Sequence, residues 1–115
     1  MARTLYPNPF LVLDAASALN AVSDVLHLPA AIAVAAYVTF SIGCTDGTVV
    51  LESSDVNPYT GTWVTEDSLP AGDNIKGRIS ANGPAEYWRV RVSEALVGGT
   101  VTVRFQALVD FTRRG

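Results

Sequence analysis

The chain has 115 residues, of which 49% are hydrophobic and 17% charged, and its formal net charge is −3. That length suits one domain, which buries roughly two-thirds of its unfolded surface, and so few charges leave surface that can rest against other protein subunits. The acidic balance excludes the basic footprint of a nucleic-acid binder. A lone cysteine, Cys44, excludes an intrachain disulfide and suits a reducing compartment.

Residues 1–14 read as an extended arm. Pro7 and Pro9 exclude a helix, and with Asp14 they interrupt any secretory-signal core. The group Phe10-Leu11-Val12-Leu13 leads from the arm into a first strand, and such an arm orders against a partner. Two readings compete over residues 15–28. Ala15, Leu19, Val22 and Leu26 have helical spacing, with Asp14 as an N-cap and Pro29 past the end. The other reading is a turn at Ser17–Asn20 and a strand through Val22, Asp24, Leu26 and Leu28, favoured because the rest of the chain is β. The most apolar window, Leu28–Ile42, is shorter than a membrane span, so no membrane partner is expected.

A strand over Ala35–Ile42 puts Ala36, Val38, Phe40 and Ile42 on one face. Thr45-Asp46-Gly47 is a turn, because glycine accepts the positive φ a tight turn needs. A strand over Thr48–Ser53 follows, then a loop with Asp55, Asn57, Pro58 and Gly61. Next come a short strand over Thr62–Glu66 carrying Trp63, a loop over residues 67–74, a strand over Ile75–Ser80 and a turn at Asn82-Gly83-Pro84. In Tyr87–Ser93, Trp88, Val90 and Val92 alternate with Tyr87, Arg89, Arg91 and Ser93. Past a Gly98-Gly99 turn, Thr100–Phe111 alternates Val101, Val103, Phe105, Ala107, Val109 and Phe111 with Thr100, Thr102, Arg104, Gln106, Leu108 and Asp110. Period two makes one face of each strand apolar and the other wet. Seven or eight short strands with regular turn signals predict an all-β fold. The expected architecture is an antiparallel, jelly-roll-like β-sandwich over residues 15–115, preceded by the arm at 1–14.

No catalytic set is expected. A catalytic histidine needs a nucleophile or an orienting carboxylate beside it. The only histidine, His27, and the only thiol, Cys44, read as a half-exposed imidazole and a buried side chain rather than a dyad. One of each is too few for zinc. Asp55 with Asn57, or Asp67 with Asp73, could approach a calcium loop, but turn chemistry explains these residues without a metal. No cofactor and no metal are expected. If the two C-terminal strands pair as a hairpin, Arg89, Arg91 and Arg104 form a basic stripe that could grip a carboxylate-rich neighbour. Trp88 is assigned to the core. Tyr59 and Trp63 could form a glycan-stacking platform or, more simply, a packed aromatic pair.

The run "GTVVLESSDVNPYTGTWVTE", followed by "KGRISANGPAEYWRVRVSEALVGGTVTVRFQ", resembles small tailed-bacteriophage virion proteins with a β-sandwich fold. These decorate or cement capsids, or serve as head or tail accessory modules. The likeness runs from about Gly47 to Gln106 and rests on Glu52-Ser53, Trp63, Arg89-Val90-Arg91-Val92 and Gly99-Thr100. It departs at Asp55–Gly61, where that family often has a short Asp-Gly. The resemblance implies a non-enzymatic structural protein present in many copies, made in the bacterial host cytoplasm and located in the virion. Its implied partners are the major capsid protein or other virion subunits, and further copies of itself, with a trimer preferred. Tyr6, Phe10 and Leu11 would anchor the arm across a seam between subunits. The alternatives are a carbohydrate- or receptor-binding module of a head or tail fibre, using Tyr59 and Trp63, and a tail or baseplate accessory domain.

Overall fold

Val101, Val103, Phe105 and Ala107 are buried, while Thr102, Arg104, Gln106 and Leu108 point the other way. The period-two pattern of the C-terminal segment is therefore a sheet face packed on a core. The computed structural model describes residues 4–5, 10–28, 31–54, 63–72, 75–82 and 85–110. Their strands, in chain order, are β1 (Thr4–Leu5), β2 (Phe10–Ala16), β3 (Leu26–His27), β4 (Ala31–Phe40), β5 (Asp46–Ser54), β6 (Val64–Pro70), β7 (Lys76–Asn82), β8 (Tyr87–Val97) and β9 (Val101–Asp110). None of the described residues is helical.

The strands form two antiparallel sheets. In the first, β9 lies between β4 and the edge strands β1 and β2, and β7 lies beyond β4. The second runs β3-β8-β5-β6. The pairings are nested: β2 with β9, β3 with β8, β4 with β7, β5 with β6. Cross-pairs of β4 with β9 and β5 with β8 roll this nested ribbon into two layers. That winding is a jelly roll, which makes the molecule an all-β antiparallel sandwich.

The core between the sheets holds Val34, Ala36, Val38, Phe40, Val49, Leu51, Ile79, Trp88, Val90, Val92, Val101, Val103 and Phe105. Trp88 is its largest member, and among the described residues its indole N–H has no acceptor. An unmet donor costs about 1–3 kcal/mol, comparable to the gain from burying one large apolar side chain, about 1.5–3 kcal/mol. Asp67 closes one side of the sandwich: its carboxylate accepts from Ser80 N at 3.1 Å and from Ser68 N at 2.9 Å.

Several expectations change. β8 and β9 do not form a hairpin: the Gly98-Gly99 turn carries the chain from one sheet to the other. The crossing is held by the neighbouring Ser41–Thr45 connection. Ser41 N donates to Thr100 O at 2.9 Å, and Thr45 N donates to Val97 O at 2.8 Å. Gly98, at φ +81°, lies so close to the Gly43 carbonyl that no side chain would fit there. Ile42 does not share the core face of β4, because the strand ends at Phe40 and Ile42 stands exposed in the turn. Residues 67–70 are strand rather than loop, and Pro70 is tolerated there because β6 is an edge strand. The boundary drawn at residue 14 falls inside β2, and Leu13 belongs to the core. The segment before β8 in sheet order takes the strand reading: a turn at residues 18–20, a bridge from Val22 to Arg91, then β3.

Candidate functional site

The outer faces of the two sheets carry all the arginines singled out from the sequence, and they differ in how those charges are met. On β8, alternation turns Arg89 and Arg91 away from the core that Trp88, Val90 and Val92 enter. Glu52 on β5 sits directly opposite Arg89, on the same face. Arg89 Nε donates to Glu52 Oε1 at 2.7 Å. Arg91 reaches across with a fork, Nε to Oε1 and Nη2 to Oε2, each at 3.1 Å. Its remaining arm donates to Asn20 Oδ1 at 2.8 Å. The Trp63 ring lies under the Arg89 guanidinium, 4.2 Å from ring centroid to Cζ, a cation–π contact.

Glu52 is only 4% exposed. Burial alone would raise its carboxyl pKa, but the hydrogen bonds from Arg91 and Arg89 and their charges together outweigh that, holding it below its ordinary 4.5. A buried carboxylate with two partners is an internal tie, because its acceptor sites are spent on the fold itself. Further along β8, Tyr87 stacks on His27 with ring centroids 4.6 Å apart, and His27 Nε2 lies 3.2 Å from Glu86 Oε1.

The outer face of the first sheet is built differently. On β4, Tyr37 points outward, and its direct neighbours are Arg78 on β7 and Arg104 on β9. One row along, Thr39 lies between Lys76 and Thr102; on the other side, Ala35 lies between Ser80 and Gln106, and Ala33 between Asn82 and Leu108. Tyr37 is fixed by a hydrogen bond from its hydroxyl to Gln106 Oε1 at 3.1 Å. Ala33 and Ala35 floor a depression of about 230 Å³, rimmed by Tyr37, Arg78, Asn82 and Leu108. Among the described side chains of β4, β7 and β9, no acidic residue faces outward. Lys76, Arg78 and Arg104 form no ion pair among the described residues. These three strands therefore carry three cations with no described acid among them, and the exposed Asp14 of this sheet stands apart on the edge strand β2.

The structure separates the arginines that the sequence grouped. Arg104 lies on the face opposite Arg89 and Arg91, because β8 and β9 belong to different sheets. Arg89, Arg91 and Arg104 therefore form no single stripe. Leu11 is exposed beside Arg104, its register partner on β9. Tyr6 and Tyr59 lie outside the described residues, as do Asp55, Asn57 and Asp73, and the Phe10 side chain is not described. Trp63 is half-buried and engaged with Arg89. Cys44 is fully buried and bonded into the Ser41–Thr45 turn. It sits near Val97, while His27 pairs with Tyr87, ten positions back along β8. At ~3.3 Å per residue that separates the two by about 30 Å, so they form no dyad. Sequence reading missed Tyr37 and Arg78, and the roles of Glu52 and Asn20, whose partners all lie on strands distant in the chain.

Fold and faces together define a jelly-roll sandwich whose exposed charges are sorted by sheet. No family model matches the chain, and no curated protein matches it in sequence. Among solved structures, Bacillus endospore appendages, a novel family of disulfide-linked pili, share the fold with a TM-score of 0.58 and 13% identity, over 94% of this chain and 88% of that one. The SPBc2 prophage-derived protein YomS is similar at a TM-score of 0.40 and 16% identity, over 96% of this chain and 95% of that one.

Proposed function

We propose that the protein is a non-enzymatic structural subunit of a phage particle that docks through the outer face of its first sheet, decorating or cementing the capsid in many copies. The observation that carries this reading is the Arg78–Tyr37–Arg104 row with Lys76 beside it, acid-free among the described side chains of β4, β7 and β9. Two strand spacings put the two arginines about 10 Å apart, which suits carboxylates on a flat protein surface rather than one small ligand. Arginine favours such partners because its planar fork meets a carboxylate at two points. An interface of about 800 Å² per partner is ordinary, and repetition over a lattice raises effective affinity by roughly 10²–10⁴. The groups that could have served chemistry hold the fold instead: Glu52 ties two arginines, and Cys44 is buried. The same architecture in pilus-forming appendages is an analogy of fold alone.

The test is co-sedimentation of the labelled protein with shells of the phage that encodes it. Wild-type protein pellets with shells, and binding weakens as salt rises, because exposed cations are screened over about 8 Å at physiological ionic strength. Arg78→Glu with Arg104→Glu abolishes pelleting. Unchanged pelleting of that variant, or labelling confined to tail structures, overturns the proposal.

A further inference from the structure

Among the described residues, one end of the sandwich is apolar, and four connections contribute to it. The β2–β3 connection supplies Leu19, the β4–β5 turn Ile42, the segment before β7 Ile75, and the end of β8 Val97. Their exposures are 55%, 78%, 41% and 54%. The same four connections are stitched together by backbone hydrogen bonds. Leu96 N donates to Ser17 O at 2.9 Å, Thr45 N to Val97 O at 2.8 Å, Ser41 N to Thr100 O at 2.9 Å, and Phe40 N to Ile75 O at 2.9 Å. These side chains thus stand on a braced platform. Half of the described large hydrophobics that stand exposed gather here, although scattered single ones are the norm for a soluble surface.

The charges at this end decide what covers it. Ala18, Leu19, Ile42, Gly43, Thr45, Ile75, Val97 and Gly98 carry none. A lipid surface would call for several cations and for tryptophan or tyrosine around the apolar group, whereas the described rim offers one lysine, Lys76, balanced by an exposed aspartate, Asp46. Among the described residues at the rim stand two opposite charges, one per sheet: Lys76 begins β7 in the first sheet, and Asp46 begins β5 in the second. Both are exposed. A two-fold axis parallel to the sheets and across the strands exchanges the layers. It sets the first sheet of one copy end-on to the second sheet of the other, so each Lys76 approaches the partner's Asp46. Such a contact is self-complementary, as a two-fold interface must be.

We propose that two copies of the chain associate end to end through Leu19, Ile42, Ile75 and Val97, with Lys76 and Asp46 pairing reciprocally at the rim. The contact leaves both sheet faces open. Lys76 stands at the border between this contact and the docking face proposed for the first sheet, but Arg78 and Arg104 take no part in the contact, so their substitution separates the two roles.

Sedimentation velocity and native mass spectrometry of the purified full chain test it. The wild type is a dimer at micromolar concentration. Ile42→Asp and Val97→Asp each raise the dissociation constant at least about tenfold, the effect of losing roughly 1.4 kcal/mol of binding. Both substitutions sit at exposed positions, and an unchanged thermal melt of the monomer verifies the fold. Asp46→Lys alone weakens the dimer, Lys76→Glu alone weakens it, and the double exchange restores it. A monomer at about 100 µM, where a complex of micromolar dissociation constant is almost wholly associated, a trimer, or a dimer indifferent to Ile42→Asp overturns the proposal. So does a double exchange that fails to restore association.

Discussion

Arg91 grips Glu52 from a diagonal position. The residue directly opposite Arg91 on β5 is Val50, yet its guanidinium meets both Glu52 oxygens at 3.1 Å while Arg89 takes the nearer approach at 2.7 Å. Two cations therefore converge on one carboxylate across the middle pair of the second sheet, and Asn20 ties the edge segment to the same point.

Removing the carboxylate leaves two guanidiniums side by side without a counterion. Both are about a quarter exposed and recover some hydration, so the expected loss for Glu52→Gln is about 1–3 kcal/mol rather than the larger cost of a fully buried orphan. Arg91→Lys keeps the charge and loses the fork, and is expected to cost about 1 kcal/mol. Urea melts compared at constant slope measure both.

Stability also falls in acid, with a defined sign. The folded carboxyl of Glu52 is held below its ordinary 4.5. The unfolded chain therefore binds a proton at higher pH than the folded one. The stabilisation from the Arg–Glu–Arg tie is complete above about pH 4.5, declines as the pH drops further, and is gone below the folded pKa. Melts from pH 6 down to pH 3 (spanning roughly the Glu range) are expected to separate wild type from Glu52→Gln at the upper end and to converge at the lower. A gap that stays constant across that range would contradict the assignment.

Gly47 starts the long run of β5 at φ +120°, and a Cβ there would stand 2.9 Å from Leu96 Cα and 3.0 Å from the Ala95 carbonyl. Both obstacles are backbone, so neither can swing aside. Gly47→Ala is expected to destabilise by about 1–3 kcal/mol, read as a lower melting temperature by calorimetry.

Trp63 gives a discriminating outcome. Its ring is engaged with Arg89, so Trp63→Ala is expected to lower stability by about 0.5–1 kcal/mol and to leave glycan-array profiles unchanged. A specific glycan signal lost in that variant would favour the fibre-module alternative.

The sequence was most legible where a single strand decides its own environment. Trp88, Val90 and Val92, and the run Val101 to Ala107, alternate strictly, and each of those apolar residues is buried. Strand pairing was not legible. Gly98-Gly99 between two amphipathic runs reads locally as a hairpin, and nothing within the segment shows that β8 pairs with β5 while β9 pairs with β4. The arginines were misgrouped for the same reason, since alternation tells in from out but not which sheet. Ile42 continues the alternation of β4 by one step, and the turn into Cys44 removes it from the face its position implied. The contacts of Glu52 and Tyr37 escaped notice because their partners lie from 37 to 69 positions away in the chain.

The nested pairing has a kinetic consequence. β9 follows every other strand in chain order yet lies inside the first sheet, flanked by β4 on one side and β1 and β2 on the other. Until β9 is in place, β2 has no sheet partner and β4 pairs on one side only. Folding must then wait for the most distant contacts, which favours slow acquisition of the native state, in the range of milliseconds to seconds for all-β topologies. Nascent chains that lack β9 would display open strand edges and be prone to aggregate.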